Sequence, residues 1–374
     1  MSAEIPEADR IEGAPHPKET ATLFGQEVAQ QGFLEAFNAD RLHHGWLLTG
    51  PRGVGKATFA WQVARFLLTT PKADQGGMFA DAPQIAHSLE VDPNHPVSRR
   101  ILAGSEPGLF AVRRPYDEKS KKLKSQITVD EIRKLKAFFT LSAADGGRRV
   151  VIVDAADEMN VSAANALLKL LEEPPADTTL LLISHQPSRL LPTIRSRCRE
   201  LRFSPLTSDT MRQALAQANV HADATNEISE LSGGSVGDAI LLSQSGGLAV
   251  YADLVSLFAN LPQLDRQRAL KLAETAAQRG ASDKFEQILN LIDLFLVRLA
   301  RSGATGQPPK IEAAPNEADV FARLAPSMQK ARAWADISEQ ITSRSRHGKS
   351  VNLDPAALVL DTVWKIQQTA AQQI

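Results

Sequence analysis

The run RRVVIVDAADEMNVSAANALLKLLEEPPADTTLLLISHQPSRLLPTIRSRCRELRF, from Arg148 to Phe203, constrains the fold more than any other part of the chain. Val150 to Val153 is a short β-branched stretch ending in Asp154, the pattern of a buried parallel strand with a carboxylate at its C-terminal end. Ser162 to Leu171 follows with Ala166, Leu167, Leu170 and Leu171 at helical spacing, and Pro174-Pro175 ends that helix. Thr178 to Ile183 reads as a second apolar strand and Glu200 to Phe203 as a third, with Ser196-Arg197-Cys198 between them. Strand, helix, strand in this order predicts an α/β layer with a parallel sheet.

A second feature belongs to the same layer. Gly50-Pro51-Arg52-Gly53-Val54-Gly55-Lys56-Ala57 follows the predicted strand Trp46 to Thr49 and opens a helix continuing through Phe59, Val63, Phe66 and Leu67. This is a phosphate-binding loop in its proper context. Glycines let backbone N–H groups curl around phosphate oxygens, the helix N-terminus adds partial positive charge, and Lys56 is the residue that reaches outer phosphates. The motif calls for Ser or Thr directly after the lysine, to ligate Mg²⁺, and here that residue is Ala57. Thr58 is rotated about 100° around the helix and does not replace it. The loop is intact at its anion end and damaged at its metal end, which fits either weak ATP or ADP binding or a vestigial turn.

Composition narrows the rest. Lys plus Arg number 42 against 43 Asp plus Glu, a net charge of −1, so no global basic field draws in nucleic acid. At 374 residues there is room for two or three cores, and 5% aromatics with abundant Ala and Leu favour helices. The single cysteine, Cys198, excludes an internal disulfide framework and fits a reducing cytoplasm. Residues 1–22 carry Glu4, Glu7, Asp9 and several prolines without an apolar core, which predicts a mobile acidic arm rather than a signal peptide. No run reaches the ~18 apolar residues of a membrane span.

NALLKLLEEPP followed by SRC is a specific pairing, and with the phosphate loop it makes the chain resemble the clamp-loader branch of the AAA+ family. The resemblance implies an AAA+ nucleotide-binding-type domain over 23–204, a small helical lid over 205–249 and an all-α collar over 250–374. It places Leu23-Phe24-Gly25-Gln26 and the following helix, to about Ala39, near the nucleotide site. In active relatives the central strand ends in Asp-Glu, for metal and water; here the two positions are Asp154 and Ala155. Asp157 and Glu158 lie too far past the strand end to be assumed as substitutes. The lid normally carries a second-sensor arginine where this chain has Gly237. Three groups needed for hydrolysis are thus missing together: the hydroxyl at Ala57, the carboxylate at Ala155 and the arginine at Gly237.

Arg197, with Ser196, stands in an intact Ser-Arg-Cys, which in AAA+ rings supplies an arginine finger to the neighbouring subunit. The resemblance therefore implies a non-catalytic subunit, partnered by motor (gamma/tau) and clamp-opening (delta) subunits in a heteropentamer. Through that complex it would meet the sliding clamp and primer-template DNA. Related chains often carry a four-cysteine zinc module near residues 69–107; those cysteines are absent here, and His87 and His95 alone do not complete a four-ligand site, so no zinc is expected.

Other features have plainer readings. His43-His44 is an adjacent pair whose side chains should diverge along an extended segment. Lys119, Lys121, Lys122 and Lys124 form a basic loop, solvated or touching a DNA backbone. Thr128 and Glu131 form a capping-box pattern before a helix to about Ser142. Helical periodicity then predicts Leu254–Leu261, Arg266–Arg279, Lys284–Ala300, Ala318–Arg346 and Leu353–Ala371. Two other functions stay open on sequence grounds: a motor-type ATPase using a carboxylate such as Asp157, and a stand-alone DNA-binding module.

Overall fold

The computed structural model describes residues 6–70, 85–141, 147–220, 225–278, 282–351 and 353–372. The chain divides into two compact units, Met1–His221 with Gly234–Gly237, and Ala222–Gly233 with Asp238–Ile374.

The first unit runs α1 (Glu27–Asn38), β1 (Gly45–Thr49), α2 (Lys56–Thr69), α3 (Pro96–Leu102), β2 (Leu109–Arg113), β3 (Tyr116–Asp117), β4 (Lys122–Leu123), α4 (Val129–Leu141), β5 (Arg149–Asp154), α5 (Val161–Glu172), β6 (Thr178–Ser184), α6 (Pro192–Arg195), β7 (Arg199–Arg202) and α7 (Ser208–Gln217). Five strands form one sheet in the order β2-β5-β6-β1-β7, every pair parallel. This is a parallel α/β sheet covered by helices on both faces. Parallel strands need crossovers, and the helices that supply them bury both sheet faces. That burial explains why VVIV and TTLLLIS read as continuous apolar runs rather than alternating ones. Leu47, Val151, Val153, Leu180 and Leu182 pack with Leu167 and Leu171 of α5 and Ile132 and Leu135 of α4 in one core. On α1 and α2, Phe33 and Phe59 meet edge to face at 6.1 Å, and Phe33 lies 5.0 Å from the ring of Trp46 in β1.

Residues 6–20 are not the mobile arm their composition suggests. Arg113 at the end of β2 binds Glu7 Oε1 at 2.6 Å and Asp9 Oδ1 at 2.7 Å, and His16 is buried edge-on against Trp61 of α2. The acidic residues read as solvating are ion-pair partners of a cation distant in sequence, which composition does not reveal. The insertion is tied down as well: Asn38 pairs its side-chain amide with both backbone groups of Ala86, and His95 caps α3 through Nδ1. Residues 71–84 of that insertion lie outside the described residues. The basic loop is the two-stranded hairpin β3–β4, with Lys119, Lys121, Lys122 and Lys124 exposed.

The second unit holds α8 (Thr225–Leu231), most of α9 (Val236–Gln244), α10 (Gly247–Phe258), α11 (Arg266–Ala277), α12 (Ser282–Thr305), α13 (Glu317–Leu324), α14 (Met328–Ser350) and α15 (Pro355–Gln372). Its core joins Tyr251, Phe258, Phe295, Phe321 and Trp334 with Val359 and Ile366. The expected single helix Ala318–Arg346 is two, α13 and α14, because Pro326 has no N–H to continue the ladder. The element expected at Leu254 starts earlier, at Gly247. Among the described residues no single helix is long and apolar enough to cross a membrane.

Candidate functional site

Register brings the strand ends into line. Arg113 of β2 faces Asp154 of β5, and Ser184 of β6 faces Thr49 of β1, which in turn faces Arg202 of β7. Ligands of open α/β sheets bind at these carboxyl ends. The phosphate loop leaves β1 at this edge and enters α2 at Lys56. Its glycines are there for close approach. A Cβ on Gly50 would lie 2.3 Å from the Phe203 carbonyl oxygen, and one on Gly53 would lie 2.2 Å from Ser235 Oγ. Both have positive φ, 142° and 75°, open to glycine at little cost. Gln26 ties the loop to the end of β7, donating to the carbonyls of Val54 at 3.0 Å and Ser204 at 2.7 Å.

Lys56 does not project from the loop. Its ammonium is buried and donates to the carbonyl of Gly50 at 2.7 Å and to that of Pro51. Burial pushes its pKa down to about 8, against the raising effect of Asp154 and Asp157. Asp154 is pushed up to about 7, first by burial and then by the negative charges of Asp9 and Glu158, with Lys56 and Arg52 opposing.

The remaining carboxylates are occupied. Asp157 accepts from the backbone N–H of His185 at 3.0 Å and of Gln186 at 3.2 Å, while Glu158 pairs with Arg114 at 2.7 Å. Ala155 precedes the short 3-10 turn Ala156–Glu158 and offers no polar side chain. Gly237 packs directly on the loop: the N–H groups of Val236 and Gly237 both donate to Gly53 O, at 2.9 and 3.3 Å. A Cβ at Gly237 would lie 2.8 Å from Ile11 Cδ1, so a side chain at the position where an arginine was expected requires Ile11 to move.

Two residues at the site carry no sequence expectation. Ser184 and His185 end β6 beside Lys56, and Ser184 Oγ and His185 Nδ1 are buried without a hydrogen-bond partner. Burial, then the charge of Lys56, lowers the His185 pKa to about 4, so its ring is neutral. The available signal is the change from the run Thr178–Ile183 to the polar pair Ser184-His185 at the strand end.

The residues present do not fit a metal-bound nucleotide. Ala57 lacks the metal hydroxyl and Ala155 the water-directing carboxylate. What remains is the set of first-turn amides at the start of α2, which lack partners within the helix and suit an anion alone.

Arg197 belongs to a different part of the unit, on the turn between α6 and β7. Its guanidinium is partly exposed, binding Glu172 Oε1 at the end of α5 at 3.0 Å and donating to Thr193 O at 3.1 Å. Ser196 closes the same turn, its hydroxyl donating to Thr193 O at 3.2 Å. Cys198 packs against the sheet core, and burial pushes its thiol up to about 12. His43 and His44 stack at 4.3 Å rather than diverging, and His44 Nε2 bonds the Leu171 carbonyl.

Residues 25–207 match the family model described as DNA polymerase III, delta subunit. The delta-prime subunit of DNA polymerase III from Pseudomonas aeruginosa is 41% identical over 196 residues, 51% of this chain and 53% of that protein. Over this stretch the chain is similar to DNA polymerase III delta-prime subunits. A gamma/tau subunit of DNA polymerase III from Mycobacterium bovis is 31% identical over 238 residues, 62% of this chain and 35% of its own length. A solved DNA polymerase III gamma-subunit-related protein from Thermotoga maritima aligns over 90% of this chain and 99% of its own, at 17% identity and a TM-score of 0.41. The chain spans about half the length of the delta-prime relative that it matches.

Proposed function

We propose that this chain is a non-catalytic subunit of a replicative clamp loader, acting in the cytoplasm, and that it lends Arg197 to the ATPase site of a neighbour. One contrast carries the reading. The chain's own loop has no metal hydroxyl, no water-directing carboxylate and no second-sensor arginine, while Arg197 stands partly exposed on the α6–β7 turn. Hydrolysis in this fold needs charge placed on the developing transition state, and a guanidinium supplied from outside meets that need. The α6–β7 turn is well suited to the task. Ser196 Oγ and the Arg197 guanidinium both lock onto Thr193 O, so the arginine is presented by a closed loop rather than a free tail. Its bond to Glu172 is a solvent-exposed pair of the kind worth ~0–1 kcal/mol, readily exchanged for a phosphate oxygen.

In this reading the partners are motor (gamma/tau) and clamp-opening (delta) subunits in a heteropentamer, with the sliding clamp and primer-template DNA met through the complex. The gamma/tau likeness leaves a motor-type ATPase as the competing assignment. The use of Asp157 as a backbone cap argues against it. The test is a loader reconstituted with Arg197→Ala: assembly retained with ATPase and clamp loading reduced supports the proposal, and unchanged activities refute it.

A further inference from the structure

We propose that residues 7–11 are an internal plug of the phosphate-loop site, holding it closed against free nucleotide. The path of the segment carries the inference. It is pinned at β2, where Glu7 and Asp9 both bind the Arg113 guanidinium, at 2.6 and 2.7 Å. Arg113 is the register partner of Asp154, so this pin lies at the carboxyl edge of the sheet, next to the carboxylate that closes β5. Two residues further on, Ile11 reaches the loop itself. Its Cδ1 is 2.8 Å from the Cβ position of Gly237, and that same position is 3.3 Å from Gly53 Cα. The segment therefore crosses the strand ends from β2 to the phosphate loop, over the crevice where this class of sheet takes its ligands.

Beyond Ile11 the segment is fastened to α2, the helix that the loop opens. His16 packs on Trp61 with ring centroids 5.6 Å apart, with its Nε2 3.3 Å from Asp9 Oδ2. Arg65 donates to the Lys18 carbonyl at 3.0 Å, and Gln62 to that of Ala21 at 3.3 Å. Pro15 and Pro17 flank His16 and stiffen the connection. The plug thus works in two ways. Ile11 fills the space over Gly237, the residue that packs on Gly53, and the carboxylate of Asp9 adds negative charge beside Asp154 at the strand ends. Gly237 acquires a reason of its own, since a side chain there would drive Ile11 out. This inference concerns the chain's own site and does not rest on the role given to Arg197.

The experiment compares wild type with a Glu7→Ala, Asp9→Ala, Ile11→Gly triple variant in the full chain. Binding of N-methylanthraniloyl-ADP is measured by fluorescence anisotropy, once in EDTA and once with Mg²⁺. The triple variant is expected to bind at least tenfold more tightly than wild type, nearly as well without Mg²⁺ as with it, and to lose binding when Lys56→Ala is added. Circular dichroism and a melting curve establish that each variant is folded. If the triple variant does not fold, Arg113→Gln, which releases the same carboxylates by a single change, takes its place with the same expectation. A folded variant that binds no more tightly than wild type overturns the proposal, as does tightened binding that survives Lys56→Ala.

Discussion

Asp157 accepts the backbone N–H of His185 at 3.0 Å, and with the Gln186 N–H at 3.2 Å this fixes its carboxylate as the cap of the loop that leaves β6. A carboxylate with both oxygens engaged by backbone donors is positioned to hold a turn and not to orient water. On sequence grounds Asp157 is one example of a carboxylate offering a route to a motor-type ATPase. The isolated chain should therefore show no ATP turnover above background. The check is steady-state phosphate release by highly purified protein, with Lys56→Ala as control. Multiple turnovers abolished by Lys56→Ala would promote the motor-type assignment.

Asp154 gives the unit a pH dependence of unusual sign. Its folded pKa, about 7, lies above the ordinary value of 3.8, so between those values the folded state binds more protons than the unfolded one. Stability from this residue is present below pH ~4 and is lost as the pH rises towards 7. Asp154→Asn should remove that loss, raising the melting temperature at pH 8 and flattening its slope between pH 4 and 7. Equal slopes in variant and wild type would show that Asp154 ionises without cost.

Asp9 runs the other way. Burial opposes its ionisation, but the His16 ring and the Arg113 charge prevail and bring its pKa down to about 2. Its contribution is present above pH ~4 and is lost as the pH falls through 2. Asp9→Asn should release residues 6–20 at neutral pH, seen as faster hydrogen exchange in that segment with the strands of the sheet unaffected. Unchanged exchange would mean that Glu7 and the α2 contacts suffice.

The strands and the phosphate loop were legible in the sequence because both are local: a β-branched run needs burial wherever it is, and the glycine spacing dictates its own turn. β5, α5 and β6 match their expected positions to within one or two residues for that reason. What was not legible depends on partners far apart along the chain. Nothing around Glu7 and Asp9 announces Arg113, more than a hundred positions away, so an anchored segment read as a free acidic arm. Likewise, Lys56 was legible as a phosphate ligand by type, but its inward turn onto Gly50 O depends on how the loop closes. The break at Pro326 was visible in the sequence and was overridden by helical periodicity on both sides of it.

In the second unit, Glu317 is fully buried and accepts from Tyr251 Oη at 2.5 Å, from Arg298 Nε at 2.8 Å and from the Ala313 N–H at 2.7 Å. Arg298 also reaches Glu230 and the Ile311 carbonyl, so one guanidinium serves two carboxylates. Removing one partner strands the other. Arg298→Met should destabilise this unit by about 3–5 kcal/mol, and Tyr251→Phe by about 1–3 kcal/mol. Urea unfolding followed by tryptophan fluorescence, with Trp334 in the same core, is the measurement. An Arg298→Met loss below about 1 kcal/mol would mean that the cluster relaxes to admit water.

Arg197→Ala is the substitution on which the proposed role turns. In the chain alone the side chain makes one exposed ion pair, to Glu172, and one bond to the Thr193 carbonyl, so the folded state should lose no more than ~1 kcal/mol. Subunit assembly should survive. In a neighbour's site the same guanidinium would lie against a γ-phosphoryl group in transfer, where fingers supplied in trans contribute on the order of 10³-fold or more in well-studied GTPases. A loader with several active sites would lose less in bulk ATPase, because only the site facing Arg197 is disabled; clamp loading would fall further if the sites fire cooperatively. Arg197→Lys should rescue poorly, since an ammonium keeps the charge and not the planar fork of donors. Glu172→Gln separates the two roles of the arginine: it breaks the internal pair and leaves the finger in place. It should therefore leave ATPase near wild type while Arg197→Ala lowers it. If Glu172→Gln and Arg197→Ala weaken the loader equally, the internal ion pair is what matters, and Arg197 is a structural residue of the α6–β7 turn.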